Sequence, residues 1–103
     1  MALRQNANMS WFVYILLCDQ KTYYVGSTDD LERKLKQHQN KQSFYTKKFS
    51  DIKLVYREIL PNRHSATGRE TQLKKWTIAK KRALITGDLP LLQDLSKAYE
   101  VDE

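Results

Sequence analysis

Apolar residues first gather without interruption in WFVYILLC (Trp11 to Cys18), stop at Asp19-Gln20-Lys21, and resume in the Thr-, Tyr- and Val-rich segment Thr22 to Ser27. An apolar run bounded by a polar turn and followed by β-branched and aromatic residues reads as two strands of a hairpin. Thr28 or Asp29 can then cap a helix, with Glu32 three residues after Asp29 in capping-box spacing. Leu31, Leu35 and His38 recur at i, i+4 and i+7 and form one inward stripe. Asn40 to Phe49 has no clear period and reads as a loop or a short turn of helix. IKLVYREIL (Ile52 to Leu60) is a third strand, stopped by Pro61-Asn62. A second helix is expected from about Ser65 to Trp76, either continuing or breaking near Thr77 into a third that ends at Gly87. LLQDLSKAYE after Pro90 is a short amphipathic helix closing the domain.

The order β-β-α-β-α-α with a C-terminal helix is too short for a doubly wound sheet, and its first strand pair is antiparallel. An α+β sandwich is the economical architecture. At 103 residues the chain is the length of one domain. Residues 1–10 read as a flexible leader, with Met9 an alternative start, and residues 87–103 as a helical extension packed on the domain.

Charge narrows the partners. Lys and Arg outnumber Asp and Glu 18 to 12, and the resulting net charge of +6 favours a polyanion, although a merely soluble basic protein has the same balance. Cys18 is the only cysteine, which excludes an intramolecular disulfide and a multi-thiolate zinc site and fits a reducing cytoplasm. Arg4 ahead of the Trp11 to Cys18 run imitates a signal peptide, but Leu16 and Leu17 supply no small-residue cleavage site, so a buried strand is the better reading. No apolar run approaches the roughly 20 residues that cross a bilayer, and no membrane partner is expected.

The candidate chemistry depends on register. With a three-residue loop at Asp19 to Lys21, Leu16 faces Tyr24, Tyr14 faces Gly26, and Tyr14 and Tyr24 become diagonal neighbours on one face. A two-residue loop would separate them. Gly26 leaves space beside Tyr14 where another backbone or a ligand could approach. Paired strand tyrosines also serve as ordinary core. On the helix, positions 31, 34 and 38 lie within about 60° of one another at 100° per residue, so Lys34 and His38 share the edge of the packing stripe while Arg33 points away. A cation there suits a phosphate site, or is a lysine whose stem lies along apolar surface; His38 is equally readable as a satisfied boundary histidine.

WFVYILLC followed by YYVGSTDDLERKLKQH resembles the GIY-YIG nuclease domain, with Phe12-Val13-Tyr14 at the first triplet and Tyr24-Val25-Gly26 at the second. The chain is most similar to small stand-alone members of that family. The resemblance extends through Tyr45-Thr46, Leu54 to Tyr56 and Arg69 to Trp76, so residues 11–86 are read as the domain. It implies a small three-stranded antiparallel β-sheet flanked by helices, and a nuclease using one divalent cation, Mg or Mn. By position, Tyr14 and Tyr24 would orient or deprotonate the attacking water and hold the scissile phosphate, His38 would assist the proton traffic, and Glu70 would bind the metal. Nucleic acid is the implied partner, DNA being expected, in branched, nicked or damaged form. A protein partner supplying specificity is also plausible for so small a domain. A tyrosine is a poor base at neutral pH unless nearby cations favour its phenolate.

Two positions depart from this picture. Thr67-Gly68-Arg69-Glu70 matches the T-x-x-E capping box, so Glu70 either caps the helix or, if the helix begins earlier, lies inward with Ala66 and Leu73, where an unpaired carboxylate would be costly. Ten residues beyond Tyr24, where the family carries a phosphate-contacting arginine, stands Lys34, which keeps the charge but lacks the bidentate fork. Weak or specialised cleavage is expected, with a non-catalytic nucleic-acid-binding module as the alternative. Gly26, Arg33, Tyr45, Lys47, Lys48, Arg57, Lys74 and Lys75 are candidate nucleic-acid contacts, with Phe44 and Tyr45 able to stack on bases or to pack over the sheet.

Overall fold

The computed structural model describes residues 10–101, with side chains through Lys97. The leader expected over residues 1–10 lies, apart from Ser10, outside the described residues. Strands β1 (Trp11–Cys18), β2 (Thr22–Thr28) and β3 (Ile52–Leu60) form one antiparallel sheet in the order β2-β1-β3. Among the described residues four helices accompany it: α1 (Leu31–Gln39), α2 (Arg63–Lys74), α3 (Ile78–Thr86) and α4 (Leu89–Val101). The α+β architecture is the expected one.

The hairpin turns through Asp19 and Gln20, both with positive φ (52° and 61°), and closes with a 3.2 Å hydrogen bond from Lys21 N to Cys18 O. The three-residue loop fixes the register Leu16↔Tyr24 and Tyr14↔Gly26, as expected, and so puts Tyr14 and Tyr24 on one face. Asp19 Oδ1 accepts from the amides of Ser50 and Asp51 at 2.9 and 2.8 Å, tying the turn to the start of β3. On the other side of β1 the pairing skips Val55: Ile15 opposes Tyr56 and Leu16 opposes Leu54. The extra residue is a bulge of the kind that bends an edge strand.

Strand alternation sends β1 side chains to two cores. Val13 and Ile15, with Val25, Ala66 and Leu73, form the core beneath α2. Tyr14, Leu16 and Cys18 join Leu31 on the opposite face beneath α1. Burying β1 on both sides explains why its sequence is continuously apolar rather than alternating.

Helix boundaries required corrections. Asp30, not Thr28 or Asp29, caps α1, accepting from Arg33 N at 3.1 Å. Helix α2 begins at Arg63, capped by Asn62 through a 2.8 Å bond from Ser65 N. The Thr67-to-Glu70 capping box therefore does not form, because the first turn lies a full turn upstream. The chain does break at Thr77, which caps α3, and α3 ends at Gly87 with φ 76°, the left-handed conformation that glycine adopts without penalty. Helix α4 packs against α3 and already includes Leu89 and Pro90. Among the described residues, no helix is long and apolar enough to cross a membrane.

Candidate active site

The site lies along β2, where α1 covers one face of the sheet and α2 covers the other. Tyr14, Tyr24 and His38 meet beneath α1. Tyr14 Oη is 2.9 Å from His38 Nε2, and His38 Nδ1 is 2.7 Å from Thr46 Oγ1. With the proton on Nδ1, Tyr14 donates to Nε2 and Nδ1 donates to Thr46. Tyr14, His38 and Thr46 are all 0% exposed, so this chain of hydrogen bonds is screened from water. The Tyr24 ring stands edge-on to His38, with centroids 5.2 Å apart, and 6.4 Å from Tyr14. Unlike Tyr14, Tyr24 is half-buried and lines an open cleft.

Gly26 makes this arrangement possible in a way that differs from the expectation. A Cβ there would stand 2.5 Å from Tyr14 Oη and 2.6 Å from Cζ. The space beside Gly26 is filled by the phenol of Tyr14 itself and is not open to a ligand, so Gly26 seats the tyrosine.

Electrostatics separate the three side chains. Burial pushes the Tyr14 phenol well above its ordinary pKa, with Tyr24 and Glu70 adding to the rise. Tyr24 is also raised by burial, which outweighs the lowering effect of Lys74. Among the protein's own groups, desolvation of a phenolate outweighs the nearby charges at both tyrosines. His38 is lowered by burial and then by Lys34, which keeps its imidazole neutral and able to accept a proton. Lys34 precedes His38 by four residues on α1 and so shares its helix face. Arg33 points elsewhere, pairing with Asp29 at 3.3 Å and Asp30 at 3.8 Å on the exposed side.

The second part of the site comes from α2. Starting the helix at Arg63 places Glu70 on the face with Ala66 and Leu73, half-buried at 21% side-chain exposure. Ser27 Oγ donates to Glu70 Oε1 at 2.5 Å, and Lys74 Nζ, one turn along α2, pairs with Oε2 at 2.9 Å. Lys74 is raised chiefly by this bond. Ser27 went unnoticed in the sequence; its signal was the strand alternation, which puts it with Val13 and Val25 on the face toward α2.

The donor set defines what metal could fit. Among the described residues no cluster of three His, Cys, Asp or Glu side chains gathers, so a preformed cage is absent. Mg²⁺ is commonly held by one or two carboxylates, with waters and substrate phosphates completing its shell. Glu70 with the Ser27 hydroxyl fits that weaker mode, provided that Lys74 yields Oε2.

The remaining candidates divide by position. Tyr45 is 68% exposed and lies near-parallel to Tyr24, at 6.5 Å and 30°, with Phe44 edge-on beside it at 5.4 Å. Lys47 covers the Phe44 ring and Lys48 the Phe49 ring. Lys74 lines the cleft beside Tyr24, together with Lys81, which the sequence presents only as one more surface cation. Arg57 opposes Tyr14 across the sheet from β3, exposed. Lys75 instead lines a separate hollow with Gly68 and Trp76 and is not brought to Tyr24.

Comparison with known proteins agrees with this geometry. The family model described as the GIY-YIG catalytic domain matches residues 10–83. A UPF0213 protein of Clostridium perfringens is 40% identical over 76 residues, covering 73% of this chain and 82% of that protein. A UPF0213 protein of Desulfotalea psychrophila is 36% identical, with 74% and 71% covered. The solution NMR structure of a UPF0213 protein from Bacillus halodurans superposes with a TM-score of 0.51 at 32% identity, covering 76% of this chain and 84% of that one. With its triplet tyrosines on β1 and β2, a histidine on α1 and a glutamate on α2, the chain belongs to the GIY-YIG catalytic domain family, among its small UPF0213 proteins.

Proposed function

We infer that the protein is a divalent-metal-dependent endonuclease-type phosphodiesterase that acts on nucleic acid, with structured DNA as its substrate. The observation that carries this is the convergence on β2 of a buried Tyr14–His38–Thr46 hydrogen-bond chain and a half-buried carboxylate held by one hydroxyl and one ammonium.

The two tyrosines divide the work. Tyr24, open to the cleft, meets the attacking water or the phosphate, while Tyr14, fully buried, donates to His38 and fixes its ring beside Tyr24. A neutral His38 accepts the Tyr14 hydrogen bond at Nε2, so the buried phenol keeps its proton and need never exist as a free phenolate. Lys34 and Lys74 supply positive charge at the phosphate. Glu70 and Ser27 would hold a hydrated Mg²⁺ or Mn²⁺. Such an ion offsets charge developing on the phosphate and lowers the pKa of its bound water.

Lys34 favours a second reading, a nucleic-acid-binding module without cleavage. A lysine presents a point charge where a planar fork would grip two phosphate oxygens. Losing one preorganised donor costs on the order of a hundredfold in rate. Incubation of labelled single-stranded, duplex and branched DNA with Mg²⁺ or Mn²⁺ separates the readings. Metal-dependent cleavage lost in Glu70→Ala and Tyr24→Phe supports the enzyme; salt-sensitive binding without cleavage supports the module; no binding at low salt overturns both.

A further inference from the structure

Beside the candidate catalytic groups, an open cleft of about 440 Å³ is lined by Tyr23, Tyr24, Val25, Tyr45, Lys74 and Lys81. It is large enough for one nucleotide and is walled by four elements: β2, the loop after α1, and the helices α2 and α3 that carry the two lysines. Tyr45 and Tyr24 border it with ring planes only 30° apart, the orientation in which a flat base stacks on a ring. Tyr45 is exposed although its neighbour Thr46 is wholly buried, so the loop is anchored while its aromatic ring faces water. Phe44, 75% exposed, extends the aromatic surface and carries the Lys47 ammonium over its ring. Large exposed rings next to each other are unusual on a soluble surface and mark a contact site.

The charge on the wall is equally specific. Lys81 is partly buried there, and burial lowers its pKa, so a nearby anion would stabilise its charged form. Lys74 stands on the same wall with its ammonium on Glu70. A ligand complementary to this cleft has a flat aromatic group and an anionic group within one monomer's reach.

We propose that this cleft binds one unpaired nucleotide next to the reacting phosphate, its base against Tyr45 and its phosphate on Lys81, so that the preferred substrate is nucleic acid with a single-stranded segment. The proposal rests on nucleic acid being the ligand of the Tyr24–Glu70 site. A base inside a duplex presents only its edge and cannot cover a ring. A branched or nicked duplex qualifies only where it offers an unpaired base.

Fluorescence anisotropy with a labelled dT12 strand, an rU12 strand and a 12-base-pair duplex, in EDTA at low salt, tests this without reference to cleavage. One or both single strands bind at least tenfold more tightly than the duplex. Tyr45→Ala weakens single-strand binding by about tenfold, as expected for one lost stacked base, and Tyr45→Phe retains it. Lys81→Ala reduces the salt dependence by about 0.7 in log–log slope. Equal affinity for duplex and single strands, or a folded Tyr45→Ala variant that binds dT12 and rU12 like the wild type, overturns the proposal. Cleavage measured separately tells the two failures apart: a protein that cuts duplex and single strand alike keeps the phosphodiesterase reading and loses this one. A protein that prefers single strands and cuts nothing does the reverse.

Discussion

The two parts of the site are built from different physics. Beneath α1, Tyr14, His38 and Thr46 are wholly buried, mutually hydrogen-bonded and fixed by close packing. Beneath α2, Glu70 keeps a fifth of its side chain exposed and is held by a hydroxyl and by a lysine that is itself 55% exposed. The first part is rigid because any displacement strands buried polar groups without partners; the second is exchangeable because water can replace each contact. A fixed imidazole needs the former and a cation-binding carboxylate the latter. Tyr24 joins them, touching His38 by its ring and feeling both Glu70 and Lys74.

The sharpest way to break the buried part is Gly26→Ala. The new Cβ meets Tyr14 Oη at 2.5 Å, and Tyr14 is enclosed, so the ring or β2 must shift. Overpacking of this kind costs about 1–3 kcal/mol or more, seen as a fall of several degrees in thermal midpoint. A Gly26→Ala protein as stable as the wild type would mean the packing around Tyr14 is loose. No comparable penalty is expected in the exposed part, where Lys74→Ala removes a solvent-screened ion pair worth about 0–1 kcal/mol.

Acid should distinguish the two parts as well. His38 has its folded-state pKa lowered by burial, so below about pH 6.5 the unfolded chain binds a proton that the folded chain resists. Stability present at neutral pH is therefore lost as pH falls through that window, by at most about 1.4 kcal/mol per pH unit from this one group. Denaturant titrations from pH 7.5 to 5.5 should show that slope in the wild type and lose it in His38→Gln. An unchanged slope would mean that His38 is solvated. Cleavage should decline over the same range, since a protonated imidazole cannot accept from Tyr14.

A smaller change sharpens the comparison at its boundary. Lys34→Arg places a planar guanidinium on the His38 side of α1 and should raise metal-dependent cleavage about tenfold or more with stability within about 0.5 kcal/mol. A folded variant with no gain would show that position 34 does not reach the phosphate.

Much of this was legible in the sequence because period-2 and period-3.6 patterns are strong where β1 is buried on both sides and α1 on one. The loop length alone determined that Tyr14 and Tyr24 share a face. The helix starts were less legible, since Thr28, Asp29 and Asp30 are all good caps, as are Asn62 and Thr67, and only tertiary packing chooses among them. The use of the Gly26 gap was misjudged because a sequence shows a missing side chain but not which neighbour fills it. Ser27 and Lys81 were hidden for a related reason: alternation gives the face of Ser27 and composition the charge of Lys81, but neither shows that Glu70 or the cleft stands beside them.

The central claim is that both parts act on one phosphodiester. Cleavage rates for Tyr24→Phe, Glu70→Ala and the double variant, on one labelled branched DNA with Mn²⁺, test it most directly. Groups that act as a unit are strongly non-additive, so the double variant should be no more than a few-fold slower than the slower single. Losses that multiply, or a wild type that shows no metal-dependent cleavage at all, would contradict the account.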